Sequence, residues 1–375
     1  RVGDDHIGRF LTETLAREGC DTSHVSVDPA RLTGAVVLGI EDRDTFPLIF
    51  LRENCADMAI GEDDVAEDYL ARSRALLITG THFSQPHVDR ISHLALERAA
   101  RHGVRTVLDI DYRPVLWGLT KRGDGETRYI RSDTVTAHLQ RILPRFDLVI
   151  GTGEEYAIAG GSTDPIEALE AVREVTKATL VVKRGPYGCV VIDGPIPRSL
   201  DDAFQGRGVE VEVLNVLGAG DAFSAGFLSG WVRGEDYEHC TAYANACGAL
   251  VVSRHGCAPA MPTRAELDYF LANAVRVPRL KRLCVEAVAE TEAARGLAGR
   301  IGILCDDRYG QDALNAATGR GWWSGRPVEL PGSNPVVVDR GRSVGTALIE
   351  WPSEHVVKCL VAYHPDDGID RRREN

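Results

Sequence analysis

Apolar runs alternate with helix-period stretches along most of the chain up to residue 272. Residues 75–80 (Ala-Leu-Leu-Ile-Thr-Gly) read as a short apolar strand. Over 88–102, Ile91, Leu94, Ala95 and Ala99 then recur at helical spacing. The next strand is 106–110, and 147–150 follows after a further helix. Residues 179–183 and 189–192 form a predicted hairpin around Gly185-Pro186-Tyr187-Gly188. Residues 209–216 also look strand-like and lead into an apolar helix that reaches Val232. Strands separated by helices predict an α/β fold, a doubly wound, mostly parallel sheet covered on both faces.

Two regions break this rhythm. Residues 35–40 and 47–51 are strands joined by the charged turn Glu41-Asp42-Arg43-Asp44, with no helix between them. Such a hairpin is either a flap over a ligand, forming a small β lid over about 31–57, or an extension of the sheet edge. After residue 272 the texture changes. Residues 273–282 carry Pro278 between basic residues and read as a linker, and 283–295 reads as a helix. Residues 300–307 and 355–362 are buried-type strands that run into acidic residues. Barrel enzymes build sites at such strand ends, but 283–375 is far short of the ~250 residues of a full barrel. The expectation is a first domain over 1–272 and an incomplete barrel-like domain over 283–375. The chain opens Arg1-Val2-Gly3 without a methionine, which points to a piece of a longer polypeptide.

Composition narrows the function classes. With 375 residues the chain has length for two domains. Its 43 Lys and Arg against 55 Asp and Glu leave a net charge of −12. That balance argues against nucleic acid or an anionic membrane as partner, since both are bound through clustered cations. Hydrophobic residues at 44% and charged residues at 26% argue against disorder. No apolar run approaches the ~20 residues of a membrane helix. Nine cysteines without a Cys-x-x-Cys pair read as reduced, mostly buried thiols, hence a cytoplasmic location.

The strongest chemical signal is Leu217-Gly218-Ala219-Gly220-Asp221-Ala222-Phe223 at the opening of an apolar helix. Small residues there let backbone N–H groups face an anion, which the helix dipole favours. Asp221 falls in the first turn, where that field is expected to keep a carboxylate ionised. A base beside an anion cradle is what phosphoryl transfer to a hydroxyl requires. The same residues also suit a plain helix cap with tight-turn glycines. There is no Gly-Lys pair for a Walker A loop, and the dinucleotide pattern fails at Phe223 and, after Gly151-x-Gly153, at Tyr156.

Taken with Lys183-x-Gly185-x-x-Gly188 and Asn245-Ala246, the Gly-Ala-Gly-Asp segment resembles the ribokinase-like (PfkB) carbohydrate kinase family. Gly3-Asp4-Asp5-His6-Ile7-Gly8, Gly19-Cys20-Asp21 and Thr33-Gly34 are similar to that family's early segments, so the resemblance runs in order over 1–272. It implies ATP and Mg2+, with Asp221 as the base and Gly218, Ala219 and Gly220 as the anion hole. Lys183, Gly185, Gly188, Asn245 and Thr152 fall on the nucleotide side, and Glu155 is the residue implied to order magnesium through water. Thr152 stands where the family's Asn-x-x-Glu has asparagine, and Asn215 stands where ribokinases use an aspartate at a monovalent-cation site. A monovalent cation therefore stays open. Family members also begin with a strand and a Gly-Gly segment that supply a sugar-binding acid, so the resemblance implies a kinase domain lacking its first strand. The segment Gly302-Ile303-Leu304-Cys305-Asp306-Asp307 extends the resemblance to kinases fused to a C-terminal aldolase-like domain, which implies that 283–375 is an incomplete part of one.

Two arginines bear on the substrate. Arg52 ends the second lid strand and Arg113 follows Asp109-Ile110-Asp111-Tyr112. Both segments resemble those of kinases acting on keto-deoxy sugar acids, where arginines meet the substrate carboxylate; each alone could equally be a surface ion pair. The implied acceptor is 5-dehydro-2-deoxygluconate of myo-inositol catabolism, with 2-dehydro-3-deoxygluconate or a neutral ribose- or fructose-type sugar as alternatives. A homodimer through the lid also follows from the resemblance. The alternative of another class is a catalytically silent fragment serving as an interaction module. His82 reads as a hydrogen-bonded structural histidine, Lys358 as a strand lysine paired with acids rather than a Schiff base, and Trp322, Trp323 and Trp351 as packing in the second domain.

Overall fold

A computed structural model describes residues 1–39, 47–254 and 256–273, with strand backbones at 338–339, 342–343, 347–350 and 356–359. The chain divides into two compact units, Arg1–Met261 and Pro262–Asn375.

The first unit opens with β1 (Val2–Gly3), α1 (His6–Arg17) and β2 (Val27–Asp28), the two strands pairing in parallel. Asp5 caps α1 by accepting from Gly8 N at 2.8 Å, and it also accepts from Thr33 N at 2.7 Å. Thr33 Oγ1 in turn accepts from Gly3 N at 2.9 Å. The early glycine- and aspartate-rich segment is thereby clipped to Thr33 at the foot of the lid. The lid itself is an antiparallel pair, β3 (Ala35–Leu38) with β4 (Leu48–Leu51), in register from Ala35–Leu51 to Leu38–Leu48. Its charged turn lies outside the described residues.

The main sheet contains β5 (Ala75–Thr79), β6 (Arg105–Asp109), β7 (Leu148–Thr152), β8 (Thr179–Lys183), β9 (Cys189–Ile192) and β10 (Phe204–Gly206). They lie side by side in chain order, with β5 to β8 parallel and β9 and β10 antiparallel. The apolar runs at 75–80, 106–110, 147–150, 179–183 and 189–192 correspond to β5 to β9, each limit agreeing within two residues. The helices are α2 (Glu67–Ala71), α3 (Pro86–Arg101), α4 (Asp133–Ile142), α5 (Gly153–Gly160), α6 (Pro165–Val175), α7 (Ala219–Trp231) and α8 (Tyr237–Val252). Alternate strand residues point to opposite faces. Leu108, Val149 and Leu180 pack into one core with Leu96, Leu139 and Leu169 of α3, α4 and α6. Val107, Ile150 and Val181 pack into a second core with Phe223, Phe227 and Ala244 of α7 and α8. Two covered faces explain why these strands read as unbroken apolar runs.

Register aligns the polar strand ends. Asp109 lies opposite Ile150, Ile150 opposite Val181, and Thr152 opposite Lys183. The carboxyl ends of three adjacent strands thus open at one edge, where open α/β sheets bind ligands.

Residues 209–216 differ from expectation, since they form no strand. They run without a ladder, tied instead by Leu214 N donating to Val252 O at 2.7 Å. Their valines face a cavity rather than a core, and this accounts for a strand-like pattern without a strand. In the second unit, α9 spans Arg264–Asn273. The strand predicted at 355–362 appears as Val356–Cys359, paired antiparallel with Ala347–Glu350, and Val338–Asp339 pairs antiparallel with Arg342–Ser343. The predicted helix 283–295, the strand 300–307 and the three second-domain tryptophans lie outside the described residues, as does the linker beyond Asn273. Among the described residues no helix is long and apolar enough to cross a membrane, and Cys20, Cys55, Cys189, Cys240, Cys247 and Cys257 are free thiols.

Candidate active site

A cavity of about 600 Å³ lies between the ends of β6, β7 and β8, the start of α7 and the lid. The alternation along the lid strands decides what faces it. Val36, Leu38, Leu48 and Phe50 line the cavity, whereas Val37, Ile49 and Leu51 point outward and are about half exposed. The hairpin is therefore a flap over the cavity and not merely an edge extension.

Helix α7 begins at the floor. Gly218, its N-cap, has φ of 82°, the left-handed region that favours glycine. A side chain at 218 would also run into the Cys257 thiol. The Ala219 N–H donates to Val216 O at 3.3 Å, while the Gly220 and Asp221 amides belong to the first turn and have no intrahelical acceptor. The site contains all four predicted residues of this segment.

Behind them stands a charged cluster. Lys183 Nζ donates to Asp109 Oδ1 at 3.0 Å and lies 3.8 Å from Glu155 Oε2. Ser224 Oγ of α7 donates to the other Asp109 oxygen at 2.7 Å. A side-chain carbon at Gly220 would sit 3.6 Å from the Lys183 ammonium, so this cation adjoins the first turn of α7. Burial works against the charge of Lys183, but Asp109 and Glu155 outweigh it and hold the ammonium well above its usual range. Glu155 and Thr152 form a capping box on α5, with Thr152 N donating to Glu155 Oε2 at 2.7 Å and Glu155 N to Thr152 Oγ1 at 3.2 Å. Thr152 thus caps this helix with its hydroxyl.

Asp221 departs from one expectation. The dipole of α7 was expected to keep it ionised, yet burial pushes its carboxyl upward and the charge of Asp109 adds to the shift. Lys183 and Arg113 oppose that shift without overcoming it. Removal from water outweighs the partial charge of a helix end here. Asp111, with a φ of 33°, is pushed to about 7 by burial, helped by Asp109 and Glu155, despite an Arg113 contact at 2.8 Å.

Arg52 and Arg113 are both on the cavity wall, and both are already paired. Arg52 Nε donates to Asp57 Oδ2 at 2.9 Å with a second bond from its NH2 group. Arg113 contacts Asp111, with Glu155 Oε1 at 3.6 Å. Gly185, Gly188 and Asn245 line the same cavity. Gly188 has φ of 84°, and a side chain there would overlap the Gly206 carbonyl, so its packing on β10 requires glycine. His82 Nδ1 meets Thr79 Oγ1 at 3.0 Å, and burial lowers the pKa of its imidazole. Asn215 is fully buried, donating to Arg254 O at 2.6 Å and accepting from Leu217 N at 2.9 Å. A neutral amide can do both, which a carboxylate cannot.

The profile of the pfkB family of carbohydrate kinases matches residues 1–264. The chain belongs to the pfkB family. A second profile, described as an uncharacterized protein conserved in bacteria (DUF2090), matches residues 264–375. A curated relative of this pfkB kinase, the 5-dehydro-2-deoxygluconokinase of Geobacillus kaustophilus (strain HTA426), is 30% identical over 277 residues, covering 72% of this chain and 77% of the relative. Two solved structures share the fold. One is a candidate ribokinase II of E. coli in complex with ATP and Mg2+ (TM-score 0.62, 24% identity, covering 72% of this chain and 81% of that one). The other is the fructokinase of Vibrio cholerae O395 with fructose, ADP and calcium (TM-score 0.59, 24% identity, covering 72% and 83%). This pfkB kinase is a sugar kinase with a ribokinase-like fold.

Sequence reasoning passed over four polar groups of this site. Asp109 and Asp111 flank the end of an apolar strand, a signal that was available. Ser224 looks like an ordinary small helix residue. Arg128 lies on a stretch with no periodicity to mark it.

Proposed function

We propose that this pfkB kinase transfers the γ-phosphoryl group of ATP to a hydroxyl of a keto-deoxy sugar acid, with 5-dehydro-2-deoxygluconate as acceptor. The observation that carries this reading is the placement of Asp221 in the first turn of α7, in one cavity with Lys183, Arg52 and Arg113. The name of the Geobacillus relative supports the same acceptor. In the transfer, the acceptor oxygen forms its bond to the γ-phosphorus as the bond to the bridging β–γ oxygen breaks, leaving ADP. Asp221 takes the hydroxyl proton. The backbone of Gly218, Ala219 and Gly220 cradles the moving group, with the first-turn amides as donors and the Lys183 ammonium alongside. Thr152, Gly185, Gly188 and Asn245 form the nucleotide side.

Among the described residues no three His, Cys, Asp or Glu side chains converge as a metal cage. The donor set fits a magnesium ion held by phosphate oxygens and water with Glu155 behind the water, the usual manner for this ion. Bound in that way, it would neutralise phosphate charge. A monovalent cation stays outside this proposal, because the Asn215 side chain is committed to backbone groups. The proposed organisation is a kinase domain over 1–272, a linker over 273–282 and an aldolase-like part over 283–375. The outer lid face of Val37, Ile49 and Leu51 is the surface that a homodimer through the lid would cover.

One observation favours a neutral sugar instead: Arg52 and Arg113 already have carboxylate partners. The two readings separate in kcat/KM for 5-dehydro-2-deoxygluconate against fructose and ribose. A carboxylate clamp predicts a preference for the acid that falls about 10- to 150-fold on Arg52→Ala or Arg113→Ala. Arg52→Lys should restore only part of it, since an ammonium lacks the planar fork. Equal use of acid and neutral sugars by the wild type would overturn the sugar-acid reading.

The pH profile tests the base. Asp221 must be ionised to accept a proton, so the acid limb of kcat follows its titration. Asp109→Asn removes a charge that raises it and should move that limb to lower pH. Arg113→Gln removes a charge that lowers it and should move the limb to higher pH. Limbs that shift together, or not at all, would separate Asp221 from the titration.

A further inference from the structure

Four cationic side chains face the cavity, and three of them are held by carboxylates. Arg52 has Asp57, Arg113 has Asp111, and Lys183 has Asp109. Arg128 also lines the cavity but makes no hydrogen bond or ion pair with any described residue. It is half-buried beside Arg113. Burial and the neighbouring guanidinium both oppose its charge, with Glu155, Asp111 and Glu154 offsetting this only in part. A guanidinium does not lose its proton in a protein, so this cost persists until an anion approaches.

The backbone around Arg128 is fastened on both sides. Asp124 accepts from Thr127 N at 3.0 Å and from Thr127 Oγ1 at 2.8 Å. On the other side, Tyr112 Oη donates to Ile130 O at 2.8 Å. The stretch is also fixed to the lid. Gly125 N donates to Leu48 O at 3.0 Å, so close that a side chain at 125 would overlap that carbonyl, and Arg122 pairs with Glu53 at 2.6 Å. An unpaired arginine on a fastened backbone, facing a cavity that the lid covers, is prearranged for a ligand rather than for the fold.

We propose that Arg128 is the anion anchor of this site, its guanidinium fork taking a two-oxygen anionic group of a substrate. The inference rests on the kinase reading above. Two sources could supply the group, namely the acceptor carboxylate and a nucleotide phosphate, and both suit bidentate pairing with arginine.

The test uses the full chain with Arg128→Gln and Arg128→Lys, and calorimetric titration in two arms. One arm titrates 5-dehydro-2-deoxygluconate without nucleotide, and the other a non-hydrolysable ATP analogue without acceptor. Arg128→Gln should weaken one of these about 10- to 150-fold, with Arg128→Lys intermediate. Loss in the first arm assigns the carboxylate, and loss in the second assigns the phosphate. The melting temperature of ligand-free Arg128→Gln should equal or exceed that of wild type, because an uncompensated charge is removed. Unchanged binding in both arms, or a lowered melting temperature with unchanged binding, overturns the proposal. Failure of the sugar-acid reading is distinct, since it shows as wild-type binding of fructose as tight as that of the acid.

Discussion

Asp221→Asn is expected to lower kcat by about 10²- to 10⁴-fold while leaving ATP-analogue binding nearly unchanged. Asparagine keeps the size and shape of the side chain and the first turn of α7, so the cradle amides stay in place. What it loses is the ability to accept a proton. Because burial and Asp109 already oppose ionisation of Asp221, the neutral amide should not destabilise the fold. The melting temperature is therefore the control, and a stable protein with kcat within tenfold of wild type would remove Asp221 from the role of base. Steady-state phosphorylation of the sugar acid, paired with calorimetric titration of the nucleotide analogue, reads both sides.

Lys183→Met should have the largest combined effect on activity and stability. The ammonium and the Asp109 carboxylate are only 13% and 8% exposed, and Glu155 shares the same cation. Removing it leaves buried carboxylates without their partner, a change that typically costs about 3–5 kcal/mol. It also removes a positive charge from beside Gly220, so kcat should fall by roughly 10²-fold or more. The two losses can be separated. Adding Asp109→Asn to Lys183→Met removes the stranded charge and should restore much of the melting temperature, while kcat stays low. If the double variant regains activity along with stability, Lys183 supports the fold and does not assist transfer.

Much of this architecture was legible in sequence because the sheet is covered on both faces. Strands such as 179–183 and 189–192 carry unbroken apolar runs for that reason, and their limits agree with β8 and β9. The start of α7 was legible because Gly218 must adopt a left-handed conformation and Asp221 must follow in the first turn. Residues 209–216 misled because valines lining a ligand cavity look the same in sequence as valines lining a core. The state of Asp221 could not be read either. A helix terminus is local and visible in sequence, whereas burial and the charge of Asp109, more than a hundred residues earlier, depend on the assembled sheet. Arg128 was invisible for the same reason, since nothing along the chain marks an arginine as unpartnered.

The sheet also acts as a ruler. Asp109, Ile150 and Val181 stand in one row across β6, β7 and β8, with Lys183 two residues farther along. At ~4.8 Å between strands and ~3.3 Å per residue, the line from Asp109 to Lys183 is a diagonal of about 12 Å between α-carbons. Only a long, unbranched cation can span that diagonal and still end in a point charge. Histidine is too short to reach Asp109, and the broad fork of arginine is wider than a tip lodged between Asp109 and Glu155. The identity of residue 183 is thus a matter of length, set by backbone spacing before any substrate enters.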